Sequence, residues 1–177
     1  FSHAEMQRAG RVVGPRIFST GTILYGAKGD FAAQVNSYDD ALKHLQRMKA
    51  AGVDGVEFES FGHLLSQFWS PMSNHLGNEY GGSLENRMRF SLEVLAAVRE
   101  RVGADFILGI RYVADELSAA GYDKAEGIEI SRRLKASGLI DFLNITQGHI
   151  DTDAGLTDNI PIMGMASAPH LNAAGEV

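Results

Sequence analysis

Lys49-Ala-Ala-Gly-Val-Asp-Gly-Val-Glu-Phe58 and Lys135-Ala-Ser-Gly-Leu-Ile-Asp-Phe-Leu-Asn144 are two versions of one pattern: a helix end, a glycine stop and a buried strand. Repeated strand–helix units of this kind build a parallel α/β sheet or a barrel. Between them lies Asp105-Phe-Ile-Leu-Gly-Ile-Arg-Tyr112. It is almost continuously apolar, as expected of a parallel strand covered on both faces.

The rest of the chain fits the same alternation. Strands are predicted over Arg16–Tyr25, Val53–Glu59, Asp105–Tyr112 and Gly138–Thr146. Ser37 caps a helix with Tyr38, Ala41, Leu45 and Met48 on one face, ended by Gly52. Ser83 caps a second, with the stripe Met88, Leu92, Leu95, Val98 and Val102, and Asp123 caps a third that runs to about Ser137. Gly26 to Val35, Ser60 to Gly82 and the tail from Gly148 read as loops. The expected fold is therefore α/β: an incomplete (β/α)8 TIM barrel of about four parallel βα units, where a complete one has eight. A half-barrel exposes its sheet edges. Either the other half lies elsewhere or the piece self-associates as a homo-oligomer.

Composition bounds the function. Of 177 residues, 45% are hydrophobic and 21% charged, so a core can form without disulfides. Cysteine is absent, which excludes disulfides, thiolate metal sites, iron–sulfur clusters and cysteine nucleophiles. A net charge of −6 without a basic cluster speaks against nucleic acid or anionic membrane as partner. No apolar run reaches bilayer length, and the start at Phe1 has no signal-peptide pattern. The expectation is a cytoplasmic protein with a small-molecule substrate. The missing initiator Met suggests a processed chain or a fragment.

Ligands of parallel α/β folds gather at the carboxyl ends of strands. Three places qualify. Glu59-Ser-Phe-Gly-His63 carries a His able to donate a proton near neutral pH, or one that only makes loop hydrogen bonds. Arg111 directly follows an apolar run. It could hold an anionic or electron-rich ligand, or pair internally with Asp115 or Glu116. Thr146-Gln-Gly-His149-Ile-Asp-Thr-Asp153 offers His149 as a second acid or base. Its two aspartates read as solvated rather than metal-binding, and no metal is expected. Phosphate loops, dinucleotide fingerprints, His-Glu-x-x-His and Gly-x-Ser-x-Gly are all missing.

Tyr80-Gly-Gly-Ser-Leu-Glu-Asn-Arg-Met-Arg-Phe90, followed by Leu92-Glu-Val-Leu-Ala-Ala-Val-Arg99, resembles the signature of the old yellow enzyme family of flavin oxidoreductases. The resemblance leans towards its branch of trimethylamine dehydrogenase, 2,4-dienoyl-CoA reductase and N-demethylases. Gly62-His-Leu-Leu-Ser-Gln-Phe-Trp-Ser-Pro71, Asn74 and Val102-Gly-Ala-Asp-Phe-Ile-Leu-Gly-Ile-Arg111 extend it in one register. It implies a barrel carrying FMN at its carboxyl end, with NADH or NADPH as possible electron donor. Arg111 would contact the flavin ring. His63 and His149 would serve as substrate-side proton carriers, His63 standing where the reductases have Tyr. Glu59 would suit a cationic amine. Tyr80, Glu85, Asn86 and Arg87 would be architectural.

Gly14 to Phe31 with Asp39 to Gly52 instead resembles a segment of metal-dependent amidohydrolases, without their His-x-His pair and with Glu57 near the place of their carbamylated Lys. The resemblance implies a chimera, with an amidohydrolase-like leader over 1–52 and a flavin-oxidoreductase-like barrel segment over 53–177, together one structural domain. Replaced early strands and a missing phosphate site would weaken FMN binding. Two alternatives stay open: a metal hydrolase and a non-catalytic, self-associating half-barrel.

Overall fold

A computed structural model describes Met6, residues 9–11, 23–25, Lys28, 32–160 and 162–177. Most of the strand expected over Arg16–Tyr25, and most of the leader motif from Gly14 to Phe31, lies outside these residues. The chain divides into two compact units, Phe1–Asp54 and Gly55–Val177.

In the first unit, β1 (Ile23–Tyr25) pairs in parallel with β2 (Ala32–Gln34), Ile23 opposite Ala32. β2 falls in a stretch read as loop. Three residues give too short an alternation to register as a strand. Helix α1 (Tyr38–Ala50) begins where expected, with the Ser37 side chain accepting from the Asp40 N–H. Met48 on its apolar face is buried, but Tyr38 is exposed and not part of the buried stripe.

The second unit holds a parallel sheet in the order β3 (Gly55–Ser60), β4 (Ile107–Val113), β5 (Phe142–Thr146). This is the α/β, partial-barrel architecture expected; three of the four expected strands form this sheet, and the first lies mostly outside the described residues. Two long helices connect them. In α3 (Leu84–Val102), the Ser83 hydroxyl accepts from the Asn86 N–H; in α4 (Lys124–Ser137), the Asp123 carboxylate accepts from the Glu126 N–H. Each cap satisfies a backbone donor that the first turn leaves unpaired. Gly138 closes α4 in the left-handed conformation, at φ 65°.

Alternation along the strands sorts two faces. Leu108, Ile110 and Tyr112 are fully buried and share one core with Val56, Phe58, Leu143 and Ile145. Met88 and Leu95 of α3, and Ile130 and Leu134 of α4, complete that core. Burial pushes the Tyr112 phenol up to about 12, so it stays neutral, and it donates to the Gly127 carbonyl at 3.3 Å. Contact between α4 and the end of β4 is close enough that a Cβ at Gly127 would run into the Ala114 carbonyl. Gly127→Ala is therefore expected to destabilise. Overpacking against backbone costs roughly 1–3 kcal/mol, against a helix-propensity gain of about 1 kcal/mol at most. A lower urea midpoint is the expected result.

Three further helices occupy stretches read as loop: α2 (Leu64–Trp69), α5 (Asp153–Asn159) and α6 (Leu171–Glu176). Each has six or seven residues, fewer than the two turns that a periodicity reading needs. No helix among the described residues is long and apolar enough to cross a membrane.

Candidate functional site

The second face of the β3–β5 sheet sets Glu57, Glu59, Arg111 and Asn144 beside the exposed apolar side chains Ile107 and Phe142. Strand register sets Glu59 opposite Arg111 and Arg111 opposite Asn144, with Glu57 opposite Gly109 one layer below. Arg111 and Glu59 form an ion pair, Nη1 to Oε2 at 3.5 Å, both side chains more than a third exposed. The internal partners considered in the sequence, Asp115 and Glu116, are engaged elsewhere. Asp115 accepts from the Leu117 N–H at 2.8 Å. Glu116 is buried, accepting from the Ser70 hydroxyl at 2.7 Å and the Tyr122 N–H at 2.9 Å.

One atom of Arg111 stands out. Its Nε is buried and has no hydrogen-bond partner among the described residues. A buried donor without a partner costs about 1–3 kcal/mol. The guanidinium also lies 6.0 Å from the centroid of the Phe61 ring, at the outer limit of a cation–π contact. A fixed cation with a spare directional donor at a strand's carboxyl end suits an electron-rich ring edge. These residues therefore fit the ring of a flavin.

The two histidines stand on the neighbouring loops. His63 is exposed at the N-cap of α2, and its side chain does not cap the helix. His149 lies between β5 and α5 with its side chain 14% exposed; its Nδ1 accepts from the Asp151 N–H at 3.3 Å. Gly62, at φ 66°, lies so close to Ile150 that a Cβ would collide with that side chain. The His63 and His149 loops therefore touch. The Gly148 N–H donates to the Asp115 carbonyl at 2.8 Å, which ties the loop after β5 to the loop after β4. So the sheet pairs Glu59 with Arg111 directly and sets one histidine on each flanking loop.

Other contacts were not foreseen. The Asn144 amide donates to Glu57 Oε2 at 3.0 Å, on the face where Gly109 has no side chain. The Phe142 ring fills the place a Gly109 Cβ would take. Glycine in an apolar strand signals such a close approach, though not which residue makes it. Arg87 is architectural, as expected. Its Nε donates to the Gly82 carbonyl at 3.1 Å, Nη1 to the Trp69 carbonyl, and Nη2 to Glu126 Oε1 at 2.7 Å. The Asn86 amide donates to the Gly81 carbonyl at 3.0 Å, and the Tyr80 hydroxyl to Glu93 at 3.2 Å.

The NADH:flavin oxidoreductase / NADH oxidase family model matches residues 25–155, three-quarters of the chain and all three strands of the open sheet. The chain belongs to this family. The family is flavin-dependent, and its match begins at residue 25, inside the 1–52 stretch set apart in the sequence reading. A probable N-methylproline demethylase of Rhizobium meliloti is 66% identical over 132 residues, covering 75% of this chain and 20% of the relative. An N,N-dimethylglycine/sarcosine dehydrogenase of Chromohalobacter salexigens is 40% identical over 140 residues, covering 78% and 20%. Among solved structures, a 2-naphthoyl-CoA reductase in complex with 2-naphthoyl-CoA superposes at a TM-score of 0.57 with 34% identity, covering 63% of this chain and 17% of that one. The chain spans about a fifth of the length of these curated relatives.

Proposed function

We propose that this chain is the part of an FMN-dependent oxidoreductase that supplies the flavin-edge cation and the substrate-side groups, and that its substrate is a small N-methylated amine. One observation carries the reading: the Arg111 guanidinium at the end of β4, with a buried Nε lacking a partner among the described residues. FMN, when bound, would supply hydride acceptance from substrate and pass the electrons on, with NADH or NADPH the donor in the reverse sense. Arg111 holds positive charge against the ring edge. Glu59, already beside a cation, offers its second oxygen to an ammonium. His63 and His149 carry protons on either side. The amine is favoured because the two curated relatives described above are named for N-methylated amino acids.

The test is an FMN titration of the purified chain by flavin fluorescence, alongside Arg111→Ala and Glu59→Gln. Hydrogen bonds to a charged group contribute about 1.5–3 kcal/mol. Arg111→Ala is therefore expected to weaken binding roughly 10- to 100-fold. Glu59→Gln should leave FMN affinity within a few-fold and weaken only the effect of an added N-methyl amine on the flavin spectrum. Equal FMN affinity in Arg111→Ala and the parent chain would overturn the reading.

A further inference from the structure

We infer that α5 is the platform that positions the His149 imidazole, with Gly155 and Asn159 as positioning residues; this deepens the reading of His149 as a proton carrier and rests on it. The imidazole lies against the α5 backbone. A Cβ at Gly155 would stand 2.5 Å from His149 Nε2, 2.6 Å from Cδ2 and 2.8 Å from Cε1. Only a glycine leaves the ring room there. The loop itself fits closely: Gly148 adopts φ 89°, and a Cβ on it would come within 2.6 Å of the Gly155 carbonyl oxygen. Two glycines seven residues apart thus let the loop and the first turn of α5 close on each other around the ring.

Asn159 at the other end of α5 fixes the strand end from which the loop leaves. It is 4% exposed, and its amide donates to the Thr146 hydroxyl and, at 3.1 Å, to the Gln147 carbonyl. His170 Nε2 lies 2.9 Å from the Asn159 carbonyl. The pinned backbone runs from Thr146 through Gly148, whose N–H is held by the Asp115 carbonyl. His149 is then left one rotatable side chain, and Gly155 settles where that side chain lies.

The arrangement also bears on the tautomer. Nδ1 accepts from the Asp151 N–H at 3.3 Å, with the Asp151 carboxylate farther off at 3.7 Å, so a neutral ring that keeps this hydrogen bond carries its proton on Nε2. Nε2 is then the proton-donating atom of this residue, and the atom nearest the absent Gly155 side chain.

Gly155→Ala tests this in a variant that should fold, because alanine is the better helix former and the atom it meets belongs to a side chain that can turn away. Long-range 1H–15N spectra of the labelled chain read the imidazole tautomer, and carbethoxylation followed by mass spectrometry reads its accessibility. In the parent chain, His149 is expected as the Nε2–H tautomer and slow to react. In Gly155→Ala, with an unchanged melting curve, carbethoxylation should rise several-fold at His149 and not at His63, and the Nδ1 acceptor signature should fade. Asn159→Ala should shift the same signals in a milder way. Unchanged tautomer and reactivity in folded Gly155→Ala would overturn the inference. These readouts need no flavin, so a platform that behaves as expected in a chain that fails to bind FMN would count against the proposed function alone.

Discussion

Replacing Arg87 by Ala is expected to cost on the order of 3 kcal/mol of stability, read as a lowered urea midpoint with far-ultraviolet signal retained below the transition. Arg87 is 6% exposed and reaches three acceptors from separate segments: the Gly82 and Trp69 carbonyls and the Glu126 carboxylate. Its loss strips two carbonyls of their donors and leaves Glu126 without its cation. Removing one member of a buried pair costs about 3–5 kcal/mol. The lower end applies because the Glu126 side chain is 31% exposed. Arg87→Lys should recover little, since one ammonium cannot span three acceptors set around a planar fork. The parent midpoint in Arg87→Ala would contradict this account of the signature helix.

Glu116 gives the second large effect, and its sign depends on the replacement. One carboxylate oxygen accepts from both the Ser70 hydroxyl and the Tyr122 N–H, joining the end of α2 to the loop after β4. Glu116→Ala leaves both buried donors unpaired, at about 1–3 kcal/mol each. The Gly121 backbone packs against the same side chain, so a cavity adds to the loss. Glu116→Gln keeps the accepting oxygen and removes the charge. Burial raises the Glu116 carboxyl above its ordinary 4.5, opposed by the Ser70 and Tyr122 hydrogen bonds and by nearby His149. A raised folded value means the native state binds the proton more tightly. The resulting stability is fully present below about pH 4.5 and is lost as pH rises through the folded value. Relative to Glu116→Gln, the parent chain should therefore lose stability from acid to neutral pH, and the Gln variant should match or exceed it at pH 7. A difference that runs the other way would show that the carboxylate, not its neutral form, is what the fold prefers.

The parts legible in the sequence were those with local causes. Ser37, Ser83 and Asp123 announce their helices because a cap needs only a side-chain oxygen and an N–H three residues on. The β4 strand is visible because its residues are almost all apolar, although only the Leu108, Ile110 and Tyr112 face packs into the core and the Arg111 face meets Glu59 and Asn144. The short helices were hidden, and α5 for an instructive reason. Thr152 is a proper N-cap, its hydroxyl accepting from the Gly155 N–H at 3.1 Å, but Gly155 sits in a tail rich in Gly, Pro, Asp and Asn that reads as loop. That glycine answers to the His149 ring and not to a turn. The site was half legible. Glu59, His63, Arg111 and His149 stand at strand ends or the loops after them, as their positions in the repeat suggest. The partner of Arg111 was not, because the sequence offers its neighbours Asp115 and Glu116, while the register of β3 against β4 delivers Glu59 from 52 residues away.

The proposal that the Arg111 guanidinium is the flavin-edge cation is tested most directly at its buried Nε, which has no partner among the described residues. The measurement is the Arg111 Nε–H resonance in 15N-labelled chain, assigned by its loss in Arg111→Lys and followed through an FMN titration. The account predicts a shift of that resonance that saturates with the FMN binding curve, as the buried donor gains an acceptor. Saturable FMN binding with the Arg111 Nε–H unmoved would contradict it and place the flavin, and the chemistry, elsewhere on the sheet.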